Sequence, residues 1–457
     1  MIAYRPMYWL AWLSFGCLPS ASWCQSIWTP MHLPGCQLYQ RLIAETEPDR
    51  CYYYGLRSSG PGCGLLHSDV YAWQNGAWDS ITTVLGTMRS MAIFRDTLVM
   101  GGGFHALGEP DDMIRGYVNG QFLDFGDFND GILRLRVIED TLWAVGSFTQ
   151  VDGQAASGVA KRVGDQWIPV GTMPGEVLVN NIIKFQNDLI ITGACYSVNG
   201  RRGIYRLENG VWGLLGEALT GFASQAGAMI EYNGELYIGG SISQAEGNVG
   251  HGIIRWDGTG YFGLGGGLLW NPGDIWTLTG VTSLAIRDGL LYCGGGFNYA
   301  GGLESRGIAA WDGSRWCSVQ GNFMATASDY VSGMAFMGDS LYVGCGPNVD
   351  GMVAGFAARA EVSELLGDCD ATGLSGGGEE LVTVSVAPVP ATNRFTVATD
   401  NDVILRYRML DLNGRQVNAG TVNAQRFIVE CAGLPGGVYF LELTLTGGRL
   451  MQKVMLD

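Results

Sequence analysis

The side chains with chemical potential in this chain are few and scattered. His32, His67, His105 and His251 are its only imidazoles, and no two are near in sequence. A copper centre of two imidazoles with Tyr and Cys, or a zinc site of paired Cys-x-x-Cys, needs ligands at fixed short spacing. None of the eleven cysteines forms such a pair, so neither a metal nor a cofactor is expected. The acidic stretch DFGDFNDG, 124–131, has carboxylates that suit calcium, but it lacks the alternate spacing of an EF-type loop and reads as solvated. Asp111-Asp112 is a weaker version of the same pattern. Acids, histidines and nucleophiles occur without a motif that fixes their spacing, so no catalytic residue is assigned. Sugar stacking is left: Trp270, Trp276 and Tyr330 lie in or beside two long insertions, 268–280 and 321–330.

What must position these residues is a repeat. The phrases Ala92–Phe104, Val137–Phe148, Lys184–Cys195, Glu231–Ile242, Ala285–Phe297 and Ala335–Gly346 each read as strand, turn, strand and glycines. Thr46–Leu56 is a degenerate first copy. Aligned on Cys51, Leu98, Leu142, Leu189, Leu236, Leu291 and Leu341, the seven copies are 44 to 55 residues apart. Each has two turn signals, such as Arg95-Asp96 then Asn119-Gly120, or Asp288-Gly289 then Asp312-Gly313. Such pairs tolerate the positive φ of two-residue hairpin turns. Two turns per copy make a four-stranded meander, the size of one propeller blade. The expected fold is all-β, a seven-bladed β-propeller over 26–366. The glycines would let backbones crowd at the channel. Trp78, Trp167, Trp212 and Trp316 would pack between blades. Ser26–Met31 resembles a fourth strand and would complete the last blade, whose own segment Glu361–Leu366 lacks the Trp.

Composition limits the partners. Net charge is −16 and no Lys/Arg cluster exists, which argues against nucleic acid and anionic membranes. Residues 1–24 read as a signal peptide: Arg5, an apolar run at Met7–Leu18, then small residues, with cleavage between Ala21 and Gln25. Phe15 and Trp23 spoil a lipoprotein box. No later run is long enough to span a bilayer, so no transmembrane segment is expected in the mature chain. Export makes disulfides possible. Nine cysteines remain after the leader, so at least one stays unpaired within the chain. Cys36 and Cys369 follow equivalent strands and are one candidate pair; Cys51 and Cys63, across a hairpin of the first blade, are another.

After Leu366 the period stops. Residues 367–383 form a Gly-rich linker. Residues 384–457 alternate apolar and polar side chains, as in a small β-sandwich. Their motifs are Pro388-x-Pro390, Leu410 to Arg415 (LDLNGR, with Gly414), Leu434 to Leu441 (LPGGVYFL, with Gly436 and Tyr439) and a late Lys453. This segment resembles the type A C-terminal sorting domain of the type IX secretion system of Bacteroidota. Its Ala-Pro-Val-Pro start, 387–390, departs from the family's Tyr-Pro-Asn-Pro. The resemblance implies type IX machinery as partner, transit of both membranes, removal of the sorting domain, and a secreted or surface-anchored product. At repeat level the rest resembles kelch-like and galactose-oxidase-like propellers with Trp-Asp-Gly phrases. Trp311–Trp316 is not a sialidase Asp box, because the Ser before Asp312 is missing and the Gly comes early. The expected function is binding of a glycan or a protein; the alternative is an extracellular hydrolase or lyase acting on polysaccharide.

Overall fold

A computed structural model describes residues 26–34, 45–47, 49–58, 66–105, 112–173, 178–193, 203–220, 225–244, 247–271, 279–324, 329–367, 369, 384–387, 390–399, 403–411, 415–445 and 449–456. The signal peptide lies outside them. The chain divides into two units, Met1–Gly373 and Leu374–Asp457.

The first unit is a succession of antiparallel meanders. A seven-stranded sheet over 45–124 holds two of them, which share the strand Ala77–Phe94. That strand pairs with Leu66–Gln74 through its first half and with Thr97–His105 through its second. Four-stranded sheets follow over 132–169, 179–214, 225–263 and 280–318. The last sheet takes Gly333–Met337, Ser340–Gly344 and Ala357–Glu361, and is completed by Thr29–Pro30. Thr29 stands opposite Arg359 and Pro30 opposite Ala358, so the start of the unit pairs with its end as the sequence suggested. Glu361–Leu366 is not a fourth strand. Val362–Leu365 forms a short helical turn, and Leu366 bridges to Val319 of the preceding sheet.

One hydrogen bond recurs between successive sheets. The indole of Trp167, on the outer strand of its sheet, donates to the carbonyl of Phe125, just past the outer strand of the sheet before it, at 2.6 Å. Trp212 does the same to Val170 at 3.1 Å and Trp316 to Leu264 at 3.2 Å. Trp78 reaches Met31 at 2.7 Å and Trp28 reaches Gln320 at 2.7 Å. Where no Trp is present, Tyr261 donates to Leu215; Tyr117, on the third strand of its meander, donates to Ile81 within the seven-stranded sheet. These rings are core, as expected, yet they are also specific donors. A buried indole N–H left unpaired costs about 1–3 kcal/mol, which explains the fixed acceptor. Gly126, Gly171 and Gly321 follow three of those carbonyls with φ of +123°, +70° and +122°. A Cβ on any of them would lie 2.3–2.4 Å from the neighbouring indole.

The glycines inside the repeat crowd backbone at the channel, as expected, but against the inner strand of their own sheet. A Cβ on Gly146, Gly193 or Gly295 would lie 2.0–2.1 Å from the carbonyl oxygen of Gly131, Leu178 or Gly280. Each clash is within one sheet, where the inner strand bulges against its partner. Asp288-Gly289 is a two-residue turn with positive φ, as expected, but Asp257-Gly258 and Asp312-Gly313 lie in longer loops. Trp311 pairs with Trp316, which makes Asp312–Arg315 a four-residue loop. Asp312 Oδ1 accepts from the amides of Ser314 and Arg315, at 2.8 Å each, and from the Ser314 hydroxyl at 2.7 Å. Burial alone would raise the Asp312 pKa, but these donors outweigh it and hold the carboxyl well below its usual range. In the copy Lys184–Cys195 the sequence places the turn at Asn187-Asp188, but it falls at Gln186-Asn187, because Phe185 pairs with Asp188.

Cys369 bonds to Cys317 and not to Cys36. The cause is the path of the chain after Leu366. Gly367 N donates to Ser318 O at 2.9 Å, which lays this segment along the outer strand of the preceding sheet and beside Cys317. Closing a loop of this length limits the unfolded chain by about 4 kcal/mol in the chain-entropy account. Cys36 and Cys63 lie outside the described residues, and Cys51 is a buried thiol. Burial pushes the thiols of Cys293 and Cys345 far up, so they stay protonated and inert.

In the second unit Val384–Ala387, Arg394–Thr399 and Arg426–Glu430 form one sheet. Gln416–Ala424, Ile404–Leu410, Gly437–Leu445 and Arg449–Leu456 form another. Phe395, Met409, Val429, Leu441 and Val454 share one buried core.

Two outcomes follow for the first unit. Trp212→Phe keeps an aromatic ring but removes the donor to Val170, and should lower unfolding free energy in urea by about 1–3 kcal/mol. Gly295→Ala should cost about 1–3 kcal/mol through overpacking, whereas Gly213→Ala, whose Cβ would meet nothing within 4 Å, should be close to neutral. Equal thermal midpoints for the two alanine variants would contradict the bulge explanation.

Candidate functional site

The bulges that require the glycines also build a channel. In the inner strands the register skips one residue at Arg89, Leu133, Asn180, Gly227 and Thr282. A β-bulge leaves its extra residue out of the ladder and re-aims its side chain. All five of these residues line a channel of about 1290 Å³. It is walled by Ala77–Phe94, Ile132–Ile138, Val179–Phe185, Gln225–Tyr232, Gly280–Arg287 and Gly333–Met337, with their flanks. Glu45–Glu47 lies against both Ala77–Phe94 and Gly333–Met337.

Residues beside the bulges tie neighbouring sheets together. The Ser90 hydroxyl accepts from Leu135 N at 2.9 Å, and the Ser283 hydroxyl from Met334 N at 3.1 Å. Arg136 Nη1 donates to Asn181 Oδ1 at 3.3 Å and to Ile182 O at 3.2 Å. Asn181 Nδ2 in turn donates to Gly227 O at 3.0 Å. Thr282, although at a bulge, gives its hydroxyl to Val331 O at 2.5 Å. Arg89 and Asn180 are different: among the described residues neither side chain makes a hydrogen bond or an ion pair.

The wall is uneven in charge. Arg89, Arg134 and Arg136 line it with one carboxylate, Asp130, among the described residues. Asp130 Oδ1 accepts from the amide of Gly131 at 2.6 Å. Across from the arginines the wall is small and neutral, with Ala226, Gly227, Gly280 and Ser283. A chain with net charge −16 thus carries a cationic arc inside its first unit. Sequence reading missed this arc, since Arg89 and Arg134 are 45 residues apart. The signal was present in the aligned copies, where Arg89, Arg134 and Arg136 stand on two consecutive inner strands.

The residues singled out from the sequence fall as follows. Tyr330 lines the channel. Trp270 is half-buried away from that wall, and its carbonyl accepts from Asn298 Nδ2 at 3.1 Å. Trp276, Pro388 and Gly414 lie outside the described residues. Within 124–131 the carboxylates serve the backbone: Asp124 Oδ1 accepts from Gly126 N at 3.1 Å, and Asp127 N donates to Asp152 at 2.9 Å. Among the described residues no three His, Cys, Asp or Glu are grouped to hold a metal ion. His251 is fully buried, and its Nδ1 accepts from Gln244 N at 3.4 Å.

The sorting motifs have structural work of their own. Asp411 accepts from Arg415 N at 2.9 Å and from its Nε at 3.1 Å, which closes the LDLNGR turn. Tyr439 is buried and donates to Pro435 O at 2.8 Å, folding the LPGGVY segment on itself. Pro390 and Gly436 are exposed, and Lys453 lies in the last strand, Arg449–Leu456.

Comparison with known proteins adds the following. No curated protein matches the chain. Among solved structures it is similar to PorZ, a surface component of the type IX secretion system of Porphyromonas gingivalis, with 12% identity and a TM-score of 0.42. That match covers 91% of this chain and 59% of PorZ. The β-propeller domain of the Trilobed protease from Pyrococcus furiosus matches with 12% identity and a TM-score of 0.40, covering 72% of this chain and 94% of that one. A polysaccharide lyase described as a PL25 ulvan lyase matches with 11% identity and a TM-score of 0.33, covering 71% and 94%. No helix among the described residues is long and apolar enough to cross a membrane. Residues 385–457 match the family described as the secretion system C-terminal sorting domain, so the chain carries a type IX sorting domain that directs it to the cell surface or the extracellular space.

Proposed function

We propose that this is a binding protein delivered by the type IX system. Its seven meanders are the blades of one β-propeller, its last 74 residues (384–457) are a β-sandwich sorting domain, and residues 1–24 are the signal peptide. The propeller recognises a glycan or a protein. The carrying observation is the channel, where the side chains that do not repeat are gathered, while the repeated Trp, Gly and Asp are consumed by scaffold. Function on such folds lives in what varies between repeats. The charged channel residues are mostly donors, and among the described residues its one carboxylate, Asp130, has no second acid beside it for acid–base work on a glycosidic bond. Hydrolase or lyase action on polysaccharide is the competing reading.

Two experiments test this. The purified full chain on a glycan array should bind without releasing product; shortened oligosaccharides would establish the enzyme instead. In a type IX host, removing residues 385–457 should leave the protein in the periplasm, and surface display of the truncated chain would contradict the delivery route.

A further inference from the structure

We propose that the channel holds acidic residues of an anionic polysaccharide, with Arg89 and Asn180 as the groups that meet them. This rests on the binding role above and names the ligand class. Both residues are bulge residues, where the backbone turns a side chain out of the ladder. Both line the channel, and among the described residues neither is engaged. Arg136, two residues from Arg134 on the next inner strand, is held to Asn181 and Ile182 and serves as a fixed charge. A guanidinium fork matches a carboxylate or a sulfate with two parallel hydrogen bonds. An amide beside it both donates and accepts, as sugar hydroxyls require. Tyr330 adds an aromatic ring to the wall.

The space fits a polymer segment. A channel of about 1290 Å³ exceeds the volume of most small-molecule pockets. Opposite the arginines Gly227 leaves room, since a Cβ there would meet nothing within 4 Å. Carboxylate and sulfate present the same chemistry to Arg89, and the experiment separates them.

The full chain is titrated by calorimetry with oligogalacturonate, a chondroitin sulfate oligosaccharide, a neutral dextran oligosaccharide and poly-glutamate. Binding of one or both acidic glycans, weakened by added salt, is expected, with dextran silent. Arg89→Gln should lower that affinity about tenfold or more. Its thermal midpoint should not move, because Arg89 is exposed. Gly227→Asp should weaken binding as well, by placing a carboxylate in the open side. Dextran binding that is indifferent to Arg89→Gln would overturn the anionic assignment and leave glycan binding standing. Binding of poly-glutamate alone would overturn the glycan assignment, and failure of both acidic glycans at low salt would overturn the proposal. Cleavage of an acidic glycan with loss on Arg89→Gln would sink the binding-only role but support this ligand class.

Discussion

The hydrogen bond from an outer-strand aromatic to the carbonyl of the preceding sheet is the interaction on which the first unit depends. Stacked meanders bury their faces through non-directional apolar contact, which sets no register between them. Six donors supply it, Trp78, Trp167, Trp212, Tyr261, Trp316 and Trp28, and Tyr117 makes a related bond to Ile81 within the seven-stranded sheet. The indole body fills the space between two sheets, and its N–H selects one oxygen. Trp28 belongs to the segment whose Thr29–Pro30 completes the last sheet, so its bond to Gln320 joins the N-terminal stretch to the penultimate sheet. The Cys317–Cys369 disulfide fastens the chain after the last sheet to that same sheet. The two ends of the unit are therefore anchored on shared ground.

At the other end of each sheet a second constraint acts. In three of the five bulged inner strands a carbonyl is driven against the partner strand, and only glycine fits there, at Gly146, Gly193 and Gly295. The gain is geometric. One residue per strand is freed from pairing and turned to the channel, while its neighbour ties to the next sheet, as Ser90, Asn181 and Ser283 do. Scaffold and site thus occupy adjacent positions. Glycine on the partner strand and a side chain turned to the channel, as at Arg89 and Asn180, are two consequences of one backbone irregularity.

Much of this was legible in sequence because it repeats. The period gave the meanders, the Asn-Gly pairs gave the turns with positive φ at Asn75, Asn119, Asn209 and Asn233, and Ser26–Met31 was correctly placed by its likeness to later outer strands. What failed depended on side chains or on chain path. Asp312 was read as a turn former by backbone preference, whereas its carboxylate caps a longer loop. Glu361–Leu366 was read as a strand from its position in the period, but Thr29–Pro30 takes that place. That displacement sends Cys369 to Cys317. The arginine arc was missed because its members are close only once the inner strands converge, and a composition of −16 gives no hint of it.

In the proposed binding mode recognition occurs at the bulges inside the channel and not on the loops outside. A crystal structure of the full chain soaked with oligogalacturonate tests this most directly. Density for a uronate carboxylate within hydrogen-bonding reach of the Arg89 guanidinium, beside Asn180, is the predicted result. Density on the outer insertion near Trp270, with none in the channel, would contradict it.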